Sequence, residues 1–346
     1  ATAGRRLFPV ARLPPMWWFG RRPMTPIAPA HQPFVGIALK IISTFAFTGM
    51  ATLIKLVSDR YPVGEVVFFR SFFALIPVCA WVGWRNFPGI FVTSRFGGHV
   101  IRSIAGATSM FCGFTALSYL PIADATAIGY ASPLLTVAFA VWLLHEKVHV
   151  YRWSAVGIGL CGVLVILSDY VGPGAEETSH ASALGALFAV AGAVAGALAA
   201  TQTRSLTRVE PAATIVVYFS TLTALAGLAS LPLGLLIPDI APWALPDILD
   251  GIALVGAGIC GGIGQVLLTQ SYRFGDASLI APFEYTSMIW ALMVSLFIFG
   301  TWPTGIVLAG AAIVIAAGLF VIYREHRLGI ERTRSKRAQT PTTPLS

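Results

Sequence analysis

The sequence predicts an all-α polytopic membrane protein, with ten transmembrane helices arranged as two inverted five-helix repeats. Three observations carry this. The 346 residues are 56% hydrophobic and 11% charged, with a mean hydropathy of +0.77. That is too little charge to cover a soluble protein of this length. The apolar residues come in runs of about 20, the helix length that crosses a ~30 Å hydrocarbon core. In lipid such a run must satisfy its own backbone, so it is helical. Finally, the second half of the chain repeats the first.

The runs lie at about 34–56, 64–84, 98–119, 124–144, 151–169, 182–203, 213–236, 248–270, 277–299 and 304–323. Turn residues separate them, as at Tyr61-Pro62, Leu120-Pro121, Gly172-Pro173-Gly174 and Trp302-Pro303. The expected organisation is a tail at 1–33, a first repeat at 34–169, a periplasmic loop at 170–181, a second repeat at 182–323 and a basic tail at 324–346. In the first tail Met16-Trp17-Trp18-Phe19 is too short for a signal-peptide core, and 331–346 is expected to be disordered.

The net charge of +8 follows the topology. Arg5, Arg6, Arg12, Arg21, Arg22, Arg85, Arg95, Arg102, Lys147, Arg152, Arg204, Arg208, Arg273 and six basic residues from Arg324 to Arg337 collect on one side. The other side has Arg60 with Glu176, Glu177, Asp239, Asp247 and Asp250. The positive-inside rule puts both termini in the cytosol of a cell with this protein in its inner membrane. Charge divided between tails and alternate loops makes no nucleic-acid stripe, so no nucleic-acid partner is expected. Cys79, Cys112, Cys161 and Cys260 fall in separate spans without metal-ligand spacing. They read as buried thiols, and neither a metal nor a cofactor is expected.

The repeat is gapless from Gly36–Leu75 onto Gly185–Ala224. It sets Pro62 on Pro211, Ser71 on Ser220, Thr52 on Thr201 and Lys55 on Arg204. Further on, Asp124-Ala125-Thr126 matches Asp276-Ala277-Ser278, and Ser118-Tyr119 matches Ser271-Tyr272. Five spans per half turn the second half over relative to the first, a building plan of secondary transporters that places the substrate at the repeat interface. Gly192-x-x-x-Gly196 and Gly258-x-x-x-Gly262 read as helix-packing contacts.

From about residue 34 to 325 the chain resembles the drug/metabolite transporter superfamily, and within it the EamA-type carriers. The resemblance rests on the duplicated layout and on four stretches. These are Tyr61-Pro62-Val63-Gly64-Glu65-Val66-Val67-Phe68-Phe69-Arg70, Ala123-Asp124-Ala125-Thr126-Ala127, Leu144-His145-Glu146-Lys147-Val148 and Gly275-Asp276-Ala277-Ser278-Leu279-Ile280-Ala281-Pro282-Phe283-Glu284-Tyr285. The last is similar to a narrower set of bacterial carriers that includes riboflavin importers and S-adenosylmethionine carriers. Where the family often has Gly-Glu after the ninth span, Thr301 follows Gly300. The resemblance implies a secondary carrier of a small organic metabolite working by alternating access.

Charge inside lipid is costly, which makes each intramembrane ionisable residue a candidate. Arg70 lies roughly 9 Å inside the second span from the outer face, and Glu284 roughly 10 Å inside the ninth from the cytosolic face. Both are read as framing a central cavity, and a structural tie is the alternative for each. Lys55 and Lys40 are expected to snorkel to the two interfaces. Tyr130 and Ser132 lie mid-membrane beside Pro133, which disrupts a helix. The repeat sets Ser132 opposite Glu284. Gln265, Gln270, Tyr272 and Tyr285 add hydrogen-bonding groups, and Tyr119, Phe283 and Trp290 add aromatic surface for a flat ligand.

No phosphate-binding Gly-rich loop with Lys and Ser/Thr is present, which argues against primary pumping. Nor does a cluster of catalytic groups at one depth argue for the rival class, an intramembrane enzyme. The expected partners are a small-molecule substrate and the bilayer, with a homodimer left open. A carboxylate at 284 suits a neutral or cationic ligand, so riboflavin uptake is the specific expectation. S-adenosylmethionine or another amino-acid or metabolite carrier or exporter is the alternative.

Overall fold

The computed structural model describes residues 33–82, 89–144, 150–171, 179–206, 210–232, 242–274 and 281–339. The tail at 1–32, the loop at 172–178, and the stretches 145–149 and 275–280 lie outside the described residues. With them lie His145-Glu146-Lys147 and the start of the Gly275 motif.

The described residues are helical, without strands. Helix α1 spans Pro33–Val57, α2 Val63–Phe73, α3 Leu75–Val82 and α4 Phe96–Tyr119. Then come α5 Ile122–Gly129, α6 Ala131–Leu144, α7 Val150–Val171, α8 Ser179–Leu206 and α9 Ala212–Leu228. The chain ends with α10 Ile248–Phe274, a 3-10 turn at Ala281–Tyr285, α11 Thr286–Phe297 and α12 Gly305–Gln339. Seven stretches of helix among the described residues are long and apolar enough to cross a membrane, counting α2 with α3 and α5 with α6 as single spans. Shorter apolar helices lie at Ala213–Leu228, Phe283–Phe297 and Gly305–Phe320. Ten full-length spans were expected. The seventh and ninth of them run into residues 233–241 and 275–280, which are not described.

Prolines set several helix starts. Pro62, Pro121 and Pro211 precede α2, α5 and α9 with extended backbones (ψ 144°, 150° and 142°). A proline there loses no hydrogen bond, because the first N–H groups of a helix have no acceptor within it. Pro77 and Pro133 stand in the first turns of α3 and α6, just after the breaks at Ala74 and Tyr130. The break beside Pro133 follows the expectation that proline interrupts this span. By contrast, residues 331–339, expected to be disordered, close α12. Their Arg, Glu, Lys and Ala favour helix, and Arg327 and Glu331 have i,i+4 spacing.

The main packing partners are α4 with α8, α1 with α10, α7 with α12 and α2 with α9. Small residues permit these contacts, since lipid gives helices no hydrophobic reason to associate and close packing must do so. Gly258 and Gly262 lie under Phe73 and Ala74, and Gly192 and Gly196 lie against α4. At the α7–α12 crossing the approach is reciprocal. A Cβ on Gly162 would lie 2.9 Å from the Gly310 carbonyl, and one on Gly310 would lie 2.6 Å from that of Gly162.

Polar ties fasten the ends. Tyr170 of α7 donates to Asp124 of α5, and Arg60 pairs with Asp250 at 2.8 Å. Glu210, before α9, accepts from Thr93 Oγ1, Ser94 N and Ser94 Oγ at 2.9–3.1 Å. Burial pushes this carboxyl up, but those donors and the nearby His99 outweigh it and hold it below the usual carboxylate range. Large apolar side chains such as Trp142, Leu187 and Ile252 are well exposed, as a lipid-facing surface requires. Gly310→Leu should lower stability by about 1–3 kcal/mol, the usual cost of overpacking. Thermal unfolding in detergent reads this, and an unchanged Tm would show that the α7–α12 contact is not the tight crossing described.

Candidate binding site

The site begins with α1. Lys40, Thr44, Thr48 and Thr52 recur every fourth residue, so they share one face, and all four are buried. Thr48 donates to the Thr44 carbonyl and Thr52 to that of Thr48. These internal bonds let hydroxyls face protein in lipid without a lost partner.

At the N-terminal end of this stripe Lys40 is paired with Glu284 of the 3-10 turn. Lys40 is 1% exposed and the Glu284 side chain 41%. The expected snorkelling of Lys40 is therefore incorrect, because a carboxylate inside the protein offers the ammonium a partner that the interface would otherwise provide. One turn on, Thr44 Oγ1 lies 3.0 Å from Thr286 Oγ1 and accepts from Trp290 Nε1 at 3.3 Å. The Trp290 ring meets Phe45 edge-on at 5.4 Å. Thus α1 and the start of α11 are closed together by an ion pair, hydroxyls and an aromatic contact. Trp290 is engaged there rather than free to stack on a ligand.

The two helix breaks meet beside this pair. Tyr130 caps the end of α5, and its hydroxyl is 2.7 Å from Ser287 Oγ. Its ring stands against Tyr285 at 5.1 Å, tilted 73°. Tyr285 points at α12, where Gly318 leaves room for its hydroxyl. Ser132 lies on the other side of Tyr130 and lines a cavity of about 190 Å³ with Ser109, Gly113, Gly129, Ala189 and Gly192, among others. In the register of the sequence repeat Lys40 falls on Ala189, and Glu284 on Ser132. The place that holds an ion pair between α1 and the turn therefore corresponds to a small-residue cavity between α4, α5 and α8, with Ser132 of α6 on its wall.

Other candidates are separate. Arg70 is 4% exposed and its Nε lies 3.4 Å from Met50 Sδ. Met50 is ten residues beyond Lys40, so Arg70 and Glu284 address α1 at levels roughly 15 Å apart. Lys55 donates to the Leu117 and Ser118 carbonyls at the end of α4. It ties two helix ends together from a half-buried position. Gln265 is half-buried on α10. Tyr119 is 41% exposed at the end of α4, apart from the tyrosine pair. The Tyr272 side chain is not among those described.

Two residues escaped the sequence reading. Lys40 was legible as the first member of a four-residue polar stripe. Arg102, counted among the cytosolic charges, is 7% exposed within α4, with its guanidinium 3.7 Å over the Phe219 ring.

The unequal burial of Lys40 and Glu284 has a testable consequence. Glu284→Gln removes a counter-charge from a fully buried ammonium, whereas Lys40→Met leaves a carboxylate that water can reach. Glu284→Gln should cost roughly 1–3 kcal/mol, between the values for exposed and fully buried pairs. Lys40→Met and the double variant should cost less. Thermal unfolding of the three proteins tests this order, and equal losses for both single variants would refute it.

A profile of the EamA-like transporter family matches residues 34–168 and 183–324. The chain is 28% identical over 300 residues to an S-adenosylmethionine uptake transporter of Rickettsia bellii, covering 85% of this chain and 95% of that one. It is 26% identical to a riboflavin transporter of Vibrio cholerae, with 84% and 94% covered. It is 25% identical to the pseudopaline exporter CntI of Pseudomonas aeruginosa, with 82% and 94% covered. A solved crystal structure superposes with a TM-score of 0.59 at 19% identity, over 85% of this chain and 98% of the other, which shows a shared fold. With both halves of the chain matched, this multi-pass membrane protein belongs to the EamA-like transporter family, within the drug/metabolite transporter superfamily.

Proposed function

We propose that the chain is a secondary transporter that moves a zwitterionic organic metabolite through the inner membrane by alternating access. In this reading ten spans form two inverted five-helix repeats, 34–169 and 182–323, with both termini cytosolic. The packing supports it. Exchanging the halves carries the α1–α10 contact onto the α4–α8 contact, and turns the α2–α9 and α7–α12 contacts onto themselves. The carrying observation is the meeting of two helix breaks, at Tyr130 and Tyr285, between a half-buried ion pair and a cavity. Discontinuous helices at a repeat interface are where such carriers bind their substrates.

The riboflavin expectation depended on a carboxylate without a counter-charge. Lys40 supplies that charge, which changes the preferred ligand. A neutral solute entering between Lys40 and Glu284 would separate two charges and compensate neither. A solute with a carboxylate and an ammonium group gives each residue a new partner as the old contact breaks. S-adenosylmethionine has such a head group, and the Rickettsia bellii relative is named for its uptake.

Purified protein in proteoliposomes should take up radiolabelled S-adenosylmethionine saturably, and unlabelled S-adenosylmethionine should compete better than riboflavin. Riboflavin uptake that S-adenosylmethionine does not inhibit would reverse the assignment. The topology is checked independently. Reporter fusions at Glu176 and near Asp247 should be periplasmic, and those after Ile90, Arg208 and Arg334 cytosolic. A cytosolic reporter at Glu176 would exclude the ten-span arrangement.

A further inference from the structure

Away from the ion pair, one face of α4 carries a second group of buried polar residues. His99, Arg102 and Ser103 are spaced i, i+3 and i+4, which puts them side by side. They are 1%, 7% and 3% exposed. Both ring nitrogens of His99, one terminal nitrogen of Arg102 and the Ser103 hydroxyl have no hydrogen-bond partner among the described residues. The Arg102 Nε donates to Thr203 Oγ1 at 3.2 Å.

Two aromatic residues of α9 hold these groups flat. The His99 ring stacks on Tyr218 at 4.6 Å and 24°, and the Arg102 guanidinium lies over Phe219. Their faces are covered, while their hydrogen bonds must leave through the edges. Gly106, one turn along, provides the space. A Cβ there would lie 2.9 Å from the Arg102 guanidinium and 2.6 Å from Phe219.

The charges are equally unbalanced. Arg70 of α2 is buried too, and α2 packs against α4. Its neighbour Ser71 is fully buried with an unpartnered hydroxyl. Ion pairs among the described residues are Lys40–Glu284 and Arg60–Asp250, so neither Arg70 nor Arg102 has a carboxylate at salt-bridge distance. The carboxylate whose field reaches His99 is Glu210, already engaged by Thr93 and Ser94. Water could fill the hydrogen bonds but would not neutralise two guanidiniums taken out of water. An oxyanion does both, because two of its oxygens, on a carboxylate or a phosphate, can accept in the guanidinium plane and bring negative charge.

We propose that the buried face between α4, α9 and α2 is an oxyanion-binding site, with Arg102 and His99 as the contacting residues and Arg70 raising the local positive potential. The ligand is the carboxylate of the transported solute, held here at a stage of transport when it is not on Lys40, or a free phosphate, and only the first assignment rests on the proposed transport reading.

The test uses the full-length protein in detergent, followed by intrinsic tryptophan fluorescence during thermal unfolding. Chloride is replaced at constant ionic strength by acetate or by inorganic phosphate. The wild type should gain Tm saturably with one or both oxyanions. Arg102→Gln should lose the response. Arg102→Lys keeps the charge without the planar fork, so its half-saturating concentration should rise at least tenfold, and it decides the matter if Arg102→Gln does not fold. Arg60→Gln, which loses a surface pair, should respond as wild type does. No response in the wild type, or a wild-type response in Arg102→Gln and Arg102→Lys, overturns the site.

Uptake of S-adenosylmethionine and of its methyl ester separates the two sources. An acid-over-ester preference that Arg102→Lys loses assigns the site to the solute's carboxylate. A phosphate response without such a preference supports the site with free phosphate as its ligand. An intact oxyanion response with no uptake of either compound rejects the S-adenosylmethionine assignment and leaves the site standing. Wild-type uptake by Arg102→Lys, with no oxyanion response in any protein, rejects the site alone.

Discussion

The contact between Lys40 and Glu284 organises the interior of this protein. Lipid offers a buried ammonium no counter-charge, so the first helix can stay where it is only while something inside the protein supplies one. Glu284 does so from a short 3-10 turn, not from a regular helix. That irregular turn is tolerable because it faces protein, where its freed backbone groups can find partners. Ser287 Oγ takes the Glu284 carbonyl at 2.7 Å and Thr286 Oγ1 takes that of Phe283 at 2.6 Å. The charge contact and the broken helix are therefore one arrangement, in which hydroxyls after the break repair what the break exposes.

Much of this architecture was legible in the sequence because lipid simplifies the physical problem. Apolar runs of spanning length have one backbone solution, and the observed helices begin and end within a few residues of the expected ones from α1 to α8. The proline beside the Tyr130 break was visible as well. What could not be read was which charge meets which. Lys40 and Glu284 are separated by 244 residues, and nothing local to either distinguishes a snorkelling lysine from a paired one. The same ambiguity hid Arg102. A basic residue a few positions into a span is compatible with an orientation signal, and only its neighbours Phe219 and Thr203 show that it points inward. Arg70 and Glu284 were each legible as intramembrane charges, but their separate levels along α1 depend on tertiary packing.

Small residues and charges divide the work of holding helices together. The α7–α12 crossing is made by backbone approach at Gly162 and Gly310, and such contacts are rigid because any added atom forces the helices apart. The α1 contact with the start of α11 depends instead on polar and aromatic groups whose partners can be exchanged. A protein that must change shape in lipid gains from keeping these two kinds of interface apart, with the rigid crossings moving as units and the exchangeable ones opening between them.

The difference between the halves bears on that movement. On the proposed repeat, Lys40 and Glu284 correspond to Ala189 and Ser132, so one half closes with a charge pair where the other leaves a cavity lined by small residues. If both halves carried the pair, each closed state would be held by the same contact and a ligand would have to break one pair while another formed. On the proposed transport reading, one pair then helps to set the closed side, through a contact whose strength depends on hydration. The 41% exposure of Glu284 limits that strength, because water screens a half-exposed carboxylate far more than a buried one. A fully buried pair would hold the closed state too firmly for a metabolite to shift, since a ligand can move an equilibrium only by its differential affinity for the two states. The partial exposure of Glu284 and the complete burial of Lys40 thus set a contact that is specific in geometry yet weak enough to be exchanged.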